Sequence, residues 1–387
     1  ADVIAGIYGR QELVDIARAL AVTFRLKGAA TQYRADLNRA MRFRALAAIE
    51  VATPAVALVV AFALAASGAG YWALVGQFIA QATVGLILLV AVGGWVPGLP
   101  RRGVEVRPFV KFGGNLLGSQ LIGYVGNNID NFVIGFRFGP TPLGYYTRAF
   151  SVVMTPLAQM RAPSTIVALP VLSRVRADNA RFAEFVRIGQ LTLAYPVAVG
   201  LAIIVGAAHP LVELLLGHRW APAAPLLQFL AIAGVFQTLA FVGYWVYLAR
   251  SLTHELMKYT IVATGIRVVC ILAGSAWGVL GVAVGYAIAP MIAWPLSLWW
   301  LSRLAPIPLR SLYGGAARVI LASAGAGGAA AITSSALASQ GIAAQVAGAA
   351  VAGAVAALGL AAAVAPLRRD LSTILQVVST AIRRRDA

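Results

Sequence analysis

Polar side chains recur inside stretches of this sequence that are long and apolar enough to cross a bilayer. Between Lys111 and Tyr146, amides, hydroxyls and one carboxylate fall on one half of a helix, and large apolar side chains fall on the other. An ionisable residue inside a span is costly, so the polar half predicts a stripe that lines a cavity. For Asp130 alone, local capping at a helix end is an equal alternative. The stripe comprises Asn115, Ser119, Gln120, Asn127, Asp130 and Asn131.

Two arginines lie in the most polar of these stretches, LVDIARALAVTFRLKGAATQY. Arg18 and Arg25 share one helical face with Asp15, at spacings of three and seven residues. We interpret both as cations of a membrane cavity. Two alternatives stay open: Arg18 pairs with Asp15 for structural reasons, or the stretch is a helix that lies in the membrane interface.

Arg161 and Arg267 are the other candidate cavity cations. Arg161 lies between prolines in MTPLAQMRAPSTIVALP, a pattern that predicts a kinked helix whose freed carbonyls need partners. Arg267 is flanked by apolar residues in ATGIRVVCILAG, where an arginine needs water or a partner. Either could bind a phosphate group. Alternatively, Arg161 satisfies backbone carbonyls, and Arg267 meets an acid such as Asp130 or Glu50.

Uncharged polar and aromatic residues offer weaker signals. Glutamines inside the apolar stretches could contact sugars, but hydrogen bonds between helices explain them equally well. Aromatic residues near position 245 could stack on sugar rings, although a belt at the membrane interface is the more frequent explanation. These residues are Gln77, Gln81, Gln159 and Gln237, and Tyr244, Trp245 and Tyr247.

The sequence contains no catalytic or metal-binding pattern. It has no Walker A motif, so direct drive by a nucleotide is not expected. The three histidines lie far apart in connectors, which gives no metal-ligand spacing. We therefore expect neither an enzyme nor a resident cofactor. Coupling of transport to protons or sodium would need an embedded carboxylate, for which the candidates are Asp130, Asp15 and Glu50.

Composition excludes a soluble protein. Of 387 residues, 60% are hydrophobic and only 11% are charged, and the mean hydropathy is +0.83. The net charge of +18 would suggest nucleic acid as the partner of a soluble protein. Here the basic residues stand between apolar runs, so they indicate topology and an attraction to anionic membrane lipid rather than nucleic acid. The single Cys270 excludes an intrachain disulfide.

The apolar runs predict an all-α, polytopic integral membrane protein with about eleven spans. Alternate connectors carry most of the basic residues, whereas the other set holds only Arg10, Arg137, Arg148 and Arg219. This asymmetry places the C-terminus in the cytoplasm. The predicted spans are roughly 13–33, 45–67, 71–94, 109–136, 144–171, 187–208, 223–249, 257–277, 279–302, 315–335 and 341–365.

An internal repeat organises these spans into two pseudo-repeated bundles. Residues 13–26 align with residues 225–239, and in both places a span, a glycine-containing turn and another span follow. The three spans between 109 and 208 have no upstream counterpart, so the repeat predicts three further helices ahead of residue 1. We divide the chain into a partial N-terminal bundle of three spans (1–100), a six-helix bundle (101–305), and two extra helices with a basic cytoplasmic tail (306–387).

Two motifs resemble a known family. One is DN-x-x-IG-x-x-x-G-x-x-x-LG-x-Y-x-x-A, which runs from Asp130 to Ala149, and the other is W-x-PAAPLLQ, from Trp220 to Gln228. Both are similar to motifs of the Wzx-type polysaccharide and lipopolysaccharide exporters of the multidrug/oligosaccharidyl-lipid/polysaccharide exporter superfamily, near its colanic-acid-exporter branch. The resemblance covers the chain up to about residue 305.

The resemblance implies two six-helix bundles around a central cavity, often with two extra C-terminal helices. It implies a flippase that moves undecaprenyl-diphosphate-linked oligosaccharide units across the bacterial inner membrane, with polysaccharide polymerase and chain-length proteins as further partners. Rival readings are a drug or cation antiporter of the same superfamily, a membrane-bound polymerase or ligase, and a passive structural partner. The outer connectors are short, which counts against the polymerase.

Overall fold

The computed structural model describes residues 12–40, 42–95, 124 and 126–383, and in this part the regular structure is entirely helical. Two short 3-10 helices, His218–Ala223 and Ser275–Trp277, precede longer helices. The α-helices within the described residues are α1 (Glu12–Arg39), α2 (Phe43–Ala66), α3 (Trp72–Gly93), α4 (126–138), α5 (Pro140–Arg174), α6 (Asn179–Gly206), α7 (Ala208–Leu216), α8 (Ala224–Ala249), α9 (Thr253–Gly274), α10 (Gly278–Leu304), α11 (Leu309–Ala336), α12 (Ile342–Ala363) and α13 (Ala365–Arg383).

Seven segments of the described chain are long and apolar enough to cross a membrane. One of them, Thr253–Leu304, contains both α9 and α10, so eight of the predicted spans have an apolar helix at their position. The other segments are Phe43–Ala66, Trp72–Gly93, Asn179–Gly206, His218–Ala249, Leu309–Ala336 and Ile342–Ala363. The chain is therefore an all-α, multi-pass membrane protein, as predicted.

The count of eleven spans is not reproduced. Helix α1 occupies the predicted span 13–33, but it carries too many charged residues to qualify as a crossing by composition. Helix α5 also does not qualify, because arginines and other polar side chains interrupt its apolar sequence. The predicted span 109–136 lies largely outside the described residues. Crossings at these three places remain predictions.

The described residues form two compact units, one within Ala1–Gly113 and one within Gly114–Ala387. In the first unit, α3 packs against both α1 and α2. Its small core joins Tyr33 and Leu37 of α1 to Leu46 of α2 and Leu89 of α3. The Tyr33 ring also stacks on Trp95, with 4.6 Å between ring centroids.

The second unit is organised around α8, the most deeply buried of its apolar helices. Helix α8 packs against α5, α6 and α10, and α11 packs against α6 and α12. Small residues permit these close approaches. A Cβ atom added at Gly206 would collide with the backbone of α11 at Gly327, and one at Gly274 would collide with Gly281 of α10.

The hairpin between α4 and α5 explains the first sequence motif. Gly139 stands at the turn with φ of +84°, a conformation that favours glycine. Across the hairpin, the hydroxyl of Tyr146 donates a hydrogen bond to Asp130 Oδ2 at 2.7 Å, and both side chains are buried. Ile134 and Ala149 are fully buried in the same core. The motif therefore encodes a packed hairpin.

The chain after residue 365 is more than a basic tail, because α13 packs against α6 and α12. Its Asp370 is 3% exposed and accepts two hydrogen bonds from Arg318 of α11, at 2.6 Å and 3.1 Å. Arg187 of α6 lies 3.9 Å from the same carboxylate, and the Tyr195 hydroxyl donates to it at 3.1 Å. We call these four residues the Asp370 cluster.

Candidate functional site

A cavity of about 310 Å³ lies inside the second unit, between α4, α5, α8, α9 and α10. Its charged lining residues in the described part of the chain are Arg161 and Arg267, and the amides of Asn127 and Gln237 lie beside them. We call this space the arginine cavity. Further lining residues are Phe241, Tyr244, Tyr247, Tyr259, Thr260, Thr264, Pro290 and Ser297.

Helix α9 carries Arg267 to the wall that faces α4. The Arg267 Nη1 atom donates to Asn127 Oδ1 at 3.1 Å, and its guanidinium lies 5.9 Å from the centre of the Tyr286 ring. The alternative in which Arg267 pairs with Asp130 or Glu50 is not seen as a direct contact, because no ion pair to an acid is found for it within the described residues. Its observed partners are neutral, so its positive charge is not cancelled by them.

Helix α5 carries Arg161 into the cavity from another side. Its Nη1 atom donates to Gln237 Oε1 at 3.3 Å, and its guanidinium lies 5.4 Å from the centre of the Phe241 ring. Its Nε and Nη2 atoms are buried and lack hydrogen-bond partners within 12–40, 42–95, 124 and 126–383. The backbone carbonyl of Arg161 itself accepts hydrogen bonds from the hydroxyls of Ser164 and Thr165. The described contacts of Arg161 therefore favour a cavity cation over one that satisfies freed carbonyls.

A hydrogen-bonded pair links the surroundings of the two arginines. Gln237 of α8 accepts from Arg161 and donates through Nε2 to the Tyr286 hydroxyl of α10 at 3.3 Å. The Tyr286 ring in turn faces Arg267. The sequence flagged Gln237 only as one glutamine among several and did not flag Tyr286. A tyrosine in an apolar run gives no signal until its neighbours in space are known.

Aromatic side chains make up much of the remaining lining of the arginine cavity. Phe241 and Tyr244 stack with their ring centroids 5.6 Å apart, and Tyr247 and Tyr259 stack at 5.9 Å. Tyr244 is 39% exposed while it stacks on Phe241. The lining of the cavity thus combines cations, amides and flat rings.

The polar stripe predicted on α4 divides between two environments. Asn127 lines the arginine cavity, whereas Asp130 is 1% exposed and closes the hairpin to Tyr146. Asp130 Oδ1 is buried without a hydrogen-bond partner in the described part of the chain. Asn131 is half-buried, and its Nδ2 lies 3.5 Å from Asn128 Oδ1. The predicted positions Asn115, Ser119 and Gln120 lie outside the described residues.

The remaining candidates belong to the first unit. Asp15, Arg18 and Arg25 are exposed side chains of α1. Glu50 forms an ion pair with Arg34 at 2.8 Å, in which both side chains are more than half exposed. The pair lines a separate polar cavity of about 560 Å³, together with Lys27, Thr31, Thr53 and Gln81. The role of Arg18 and Arg25 as cavity cations stays a prediction.

No group of three or more histidine, cysteine or acidic side chains that could hold a metal ion is present among the residues that the structure describes.

The sequence is similar to those of proteins described as acting in polysaccharide biosynthesis. Residues 1–225 match the family described as "Polysaccharide biosynthesis protein". The teichuronic acid biosynthesis protein TuaB of Bacillus subtilis (strain 168) is 28% identical over 61% of this chain and 50% of its own length. The lipopolysaccharide biosynthesis protein WzxC of Escherichia coli (strain K12) is 22% identical over 75% of this chain and 60% of its own. The chain thus spans half to three fifths of these relatives.

A solved structure shares the fold. The lipid II flippase MurJ, in an inward closed conformation, superposes with a TM-score of 0.51 over 70% of this chain and 59% of its own. The two sequences are only 13% identical over this region, so the likeness concerns the arrangement of helices alone. The MurJ structure therefore supports the helical fold, and the sequence match supports the family.

Proposed function

Because this chain belongs to the polysaccharide biosynthesis protein family, we propose that it acts in a flippase for undecaprenyl-diphosphate-linked oligosaccharide units. The protein moves these units from the inner to the outer leaflet of the bacterial inner membrane, for surface polysaccharide synthesis, and keeps its C-terminus in the cytoplasm. It is a transporter and not an enzyme. Its partners are the lipid-linked unit, membrane lipid, and the polymerase and chain-length proteins that consume the product.

One observation carries the proposal: two arginines with neutral partners line one cavity inside a bundle of apolar helices. A diphosphate and its sugars cannot cross about 30 Å of hydrocarbon unaided. Arginine binds phosphate through paired, charge-assisted hydrogen bonds. The two unpartnered nitrogens of Arg161 supply such donors. Arg161 and Arg267 therefore hold the diphosphate in this scheme.

The aromatic side chains that line the arginine cavity suit the first sugar. Sugar rings pack on flat aromatic faces, and Tyr244 offers one beside the arginines. At about 310 Å³ the cavity is at the small end of ligand pockets. It therefore accommodates the diphosphate and the sugar attached to it, while the rest of the oligosaccharide extends beyond. Asn127 and Gln237 can hydrogen-bond to hydroxyl or phosphate oxygens.

Transport follows an alternating-access scheme between two bundles. In this scheme Arg18 and Arg25 of α1 supply further cations. The lipid tail stays in the bilayer while the polar headgroup crosses. Binding of the headgroup shifts the equilibrium between inward-open and outward-open states.

Asp130 is the best placed of the candidate coupling groups. It is buried and has one oxygen without a described partner, whereas Asp15 is exposed and Glu50 is paired with Arg34. A buried carboxylate can take up and release a proton or a sodium ion during a transport cycle. A drug or cation antiporter would need acids inside its cavity, whereas both charged side chains that line the arginine cavity in the described part of the chain are basic.

The test replaces Arg267 by alanine in the protein expressed from its natural gene, in a cell without its own flippase. Removal of this donor should lower surface polysaccharide at least tenfold, because charge-assisted hydrogen bonds contribute roughly 1.5–3 kcal/mol each. The lipid-linked unit should accumulate in the inner leaflet at normal protein level. Arg310→Ala, an exposed arginine at the start of α11, is the matched control and should export normally.

Normal export by the Arg267→Ala variant would return Arg267 to a packing role. If the unmutated protein exports none of several lipid-linked sugars, the result would instead count against the flippase proposal and favour the antiporter alternative.

A further inference from the structure

We infer that Gln237 and Tyr286 are positioning residues that hold Arg161 ready for the diphosphate without cancelling its charge. This inference rests on the proposed function and extends it to a pair that does not itself bear charge. Its basis is a series of contacts that crosses the cavity wall, from Arg161 through Gln237 and Tyr286 to Arg267, and on to Asn127.

The orientation of the Gln237 amide follows from its neighbours. A guanidinium only donates hydrogen bonds, so the amide oxygen must face Arg161. The amide nitrogen then faces the Tyr286 hydroxyl and donates to it at 3.3 Å. A flipped amide would place two sets of donors against each other. Arg161 therefore dictates the arrangement of Gln237, and Tyr286 stabilises it.

The geometry leaves Arg161 held by one nitrogen. Nη1 is bound to Gln237, while Nε and Nη2 have no partner among the described residues. These two nitrogens form one edge of the guanidinium, the edge that binds two oxygens of a phosphate or carboxylate side by side. Gln237 thus fixes one corner of the group and leaves the opposite edge for an anion.

A neutral amide is the right partner for this purpose. A glutamate at position 237 would have the same shape and would pair with Arg161 as an ion pair. The added carboxylate would repel an incoming diphosphate and compete for the guanidinium. An amide orients the guanidinium and leaves its charge for the ligand.

Tyr286 couples the two arginines. It is 7% exposed, its hydroxyl accepts from Gln237, and its ring lies 5.9 Å from the Arg267 guanidinium. A rigid tyrosine between the two groups fixes their separation, as a two-point diphosphate site requires. Loss of the hydroxyl alone would leave the ring in place but release Gln237.

Gln237→Glu is the decisive variant, and we would measure two quantities on it. The first is the affinity of the purified protein in detergent for undecaprenyl diphosphate, with uncharged undecaprenol as reference. The second is thermal unfolding. The variant should bind the diphosphate about tenfold more weakly or worse, bind undecaprenol as before, and unfold at an equal or higher temperature. Tyr286→Phe should weaken diphosphate binding by a few fold, roughly the effect of one neutral hydrogen bond.

Gln345→Glu is the matched control. It makes the same chemical change in the first turn of α12, outside the arginine cavity, and should leave diphosphate binding unchanged. If the Gln237→Glu protein fails to accumulate, Gln237→Leu replaces it. That variant removes the contact to Arg161 without adding charge and should weaken diphosphate binding by a few fold.

Two results separate failure of this inference from failure of the proposed function. If the unmutated protein prefers undecaprenyl diphosphate and the Gln237→Glu variant binds it equally well, Gln237 is a packing residue and the inference is wrong. If the unmutated protein does not distinguish the diphosphate from undecaprenol, the flippase proposal itself is wrong.

Discussion

Two groups of arginines in the second unit differ in what surrounds them. In the Asp370 cluster, Arg318 makes a two-point contact with a buried carboxylate, and Arg187 approaches the same acid. In the arginine cavity, Arg161 and Arg267 contact amides and aromatic rings. Both groups lie within helices of one apolar bundle, yet within the described residues only the first has an acid in direct contact with its arginines.

The difference separates arginines that pair with an acid from those that we propose bind the substrate. An acid that pairs with an arginine lowers the cost of burying both, and it also occupies the donors that a substrate would use. Neutral partners orient an arginine and leave its positive charge uncompensated. We therefore expect substitutions in the Asp370 cluster to affect stability, and substitutions in the arginine cavity to affect transport.

The largest effect is expected from Arg318→Ala. The change leaves Asp370 buried with one distant arginine, and breaking a buried pair costs about 3–5 kcal/mol. Thermal unfolding of the detergent-purified protein should shift down, and the protein level in membranes should fall. Arg368→Ala, an exposed neighbour of Asp370 on α13, is the control and should change stability by no more than about 0.5 kcal/mol. An unchanged unfolding temperature for Arg318→Ala would show that the Asp370 cluster does not stabilise the protein as proposed.

An intermediate effect is expected at the hairpin, where Asp130 is a second buried acid with a weaker partner. Tyr146→Phe removes the hydroxyl that donates to Asp130, and an unsatisfied buried acceptor costs about 1–3 kcal/mol. Asp130→Asn keeps an acceptor for Tyr146, so it should unfold near the normal temperature but export without dependence on a proton or sodium gradient. Gradient-dependent export by Asp130→Asn would remove Asp130 from coupling.

The smallest effect is expected from Arg267→Lys. The substitution keeps the positive charge but loses the planar pair of donors, so export should fall by only a few fold. Stability should not change, because the observed partners of Arg267 are a half-exposed amide and a ring face. Export assays at equal protein level measure the difference. A fall as deep as that of Arg267→Ala would show that two-point geometry, rather than charge, is what the ligand needs.

Local pattern predicted much of this molecule. Long apolar runs predicted the positions of the apolar helices of the second unit, with bounds that differ by up to eight residues, and the resemblance in two motifs agreed with the family match. The prolines around Arg161 and the apolar residues around Arg267 single out both arginines, and the structure brings both into one cavity. Periodicity also put Asn127 and Asp130 on one face, which is correct for a helix.

Partnerships across the fold could not be predicted. Asn127 and Asp130 share a helical face, but Asn127 lines the cavity and Asp130 contacts Tyr146. The packing of α5 against α4 determines this difference, and the sequence of α4 alone does not indicate it. Gln237 and Tyr286 are 49 residues apart, and neither sequence context indicates the other. Helix α13 was read only as a basic tail because its single acid gave no sign of burial. Pairing with Arg318, 52 residues earlier, is what makes that burial tolerable.

The Asp370 cluster also sets an order in time. Arg318 leaves the ribosome 52 residues before Asp370, and Tyr195 leaves 175 residues before it. At synthesis rates of roughly 5–20 residues per second, about 3–10 seconds pass between the synthesis of Arg318 and that of Asp370. During that interval α6 and α11 carry arginines whose counter-charge does not yet exist. Helix α13 therefore completes the charge balance of two helices that are synthesised before it.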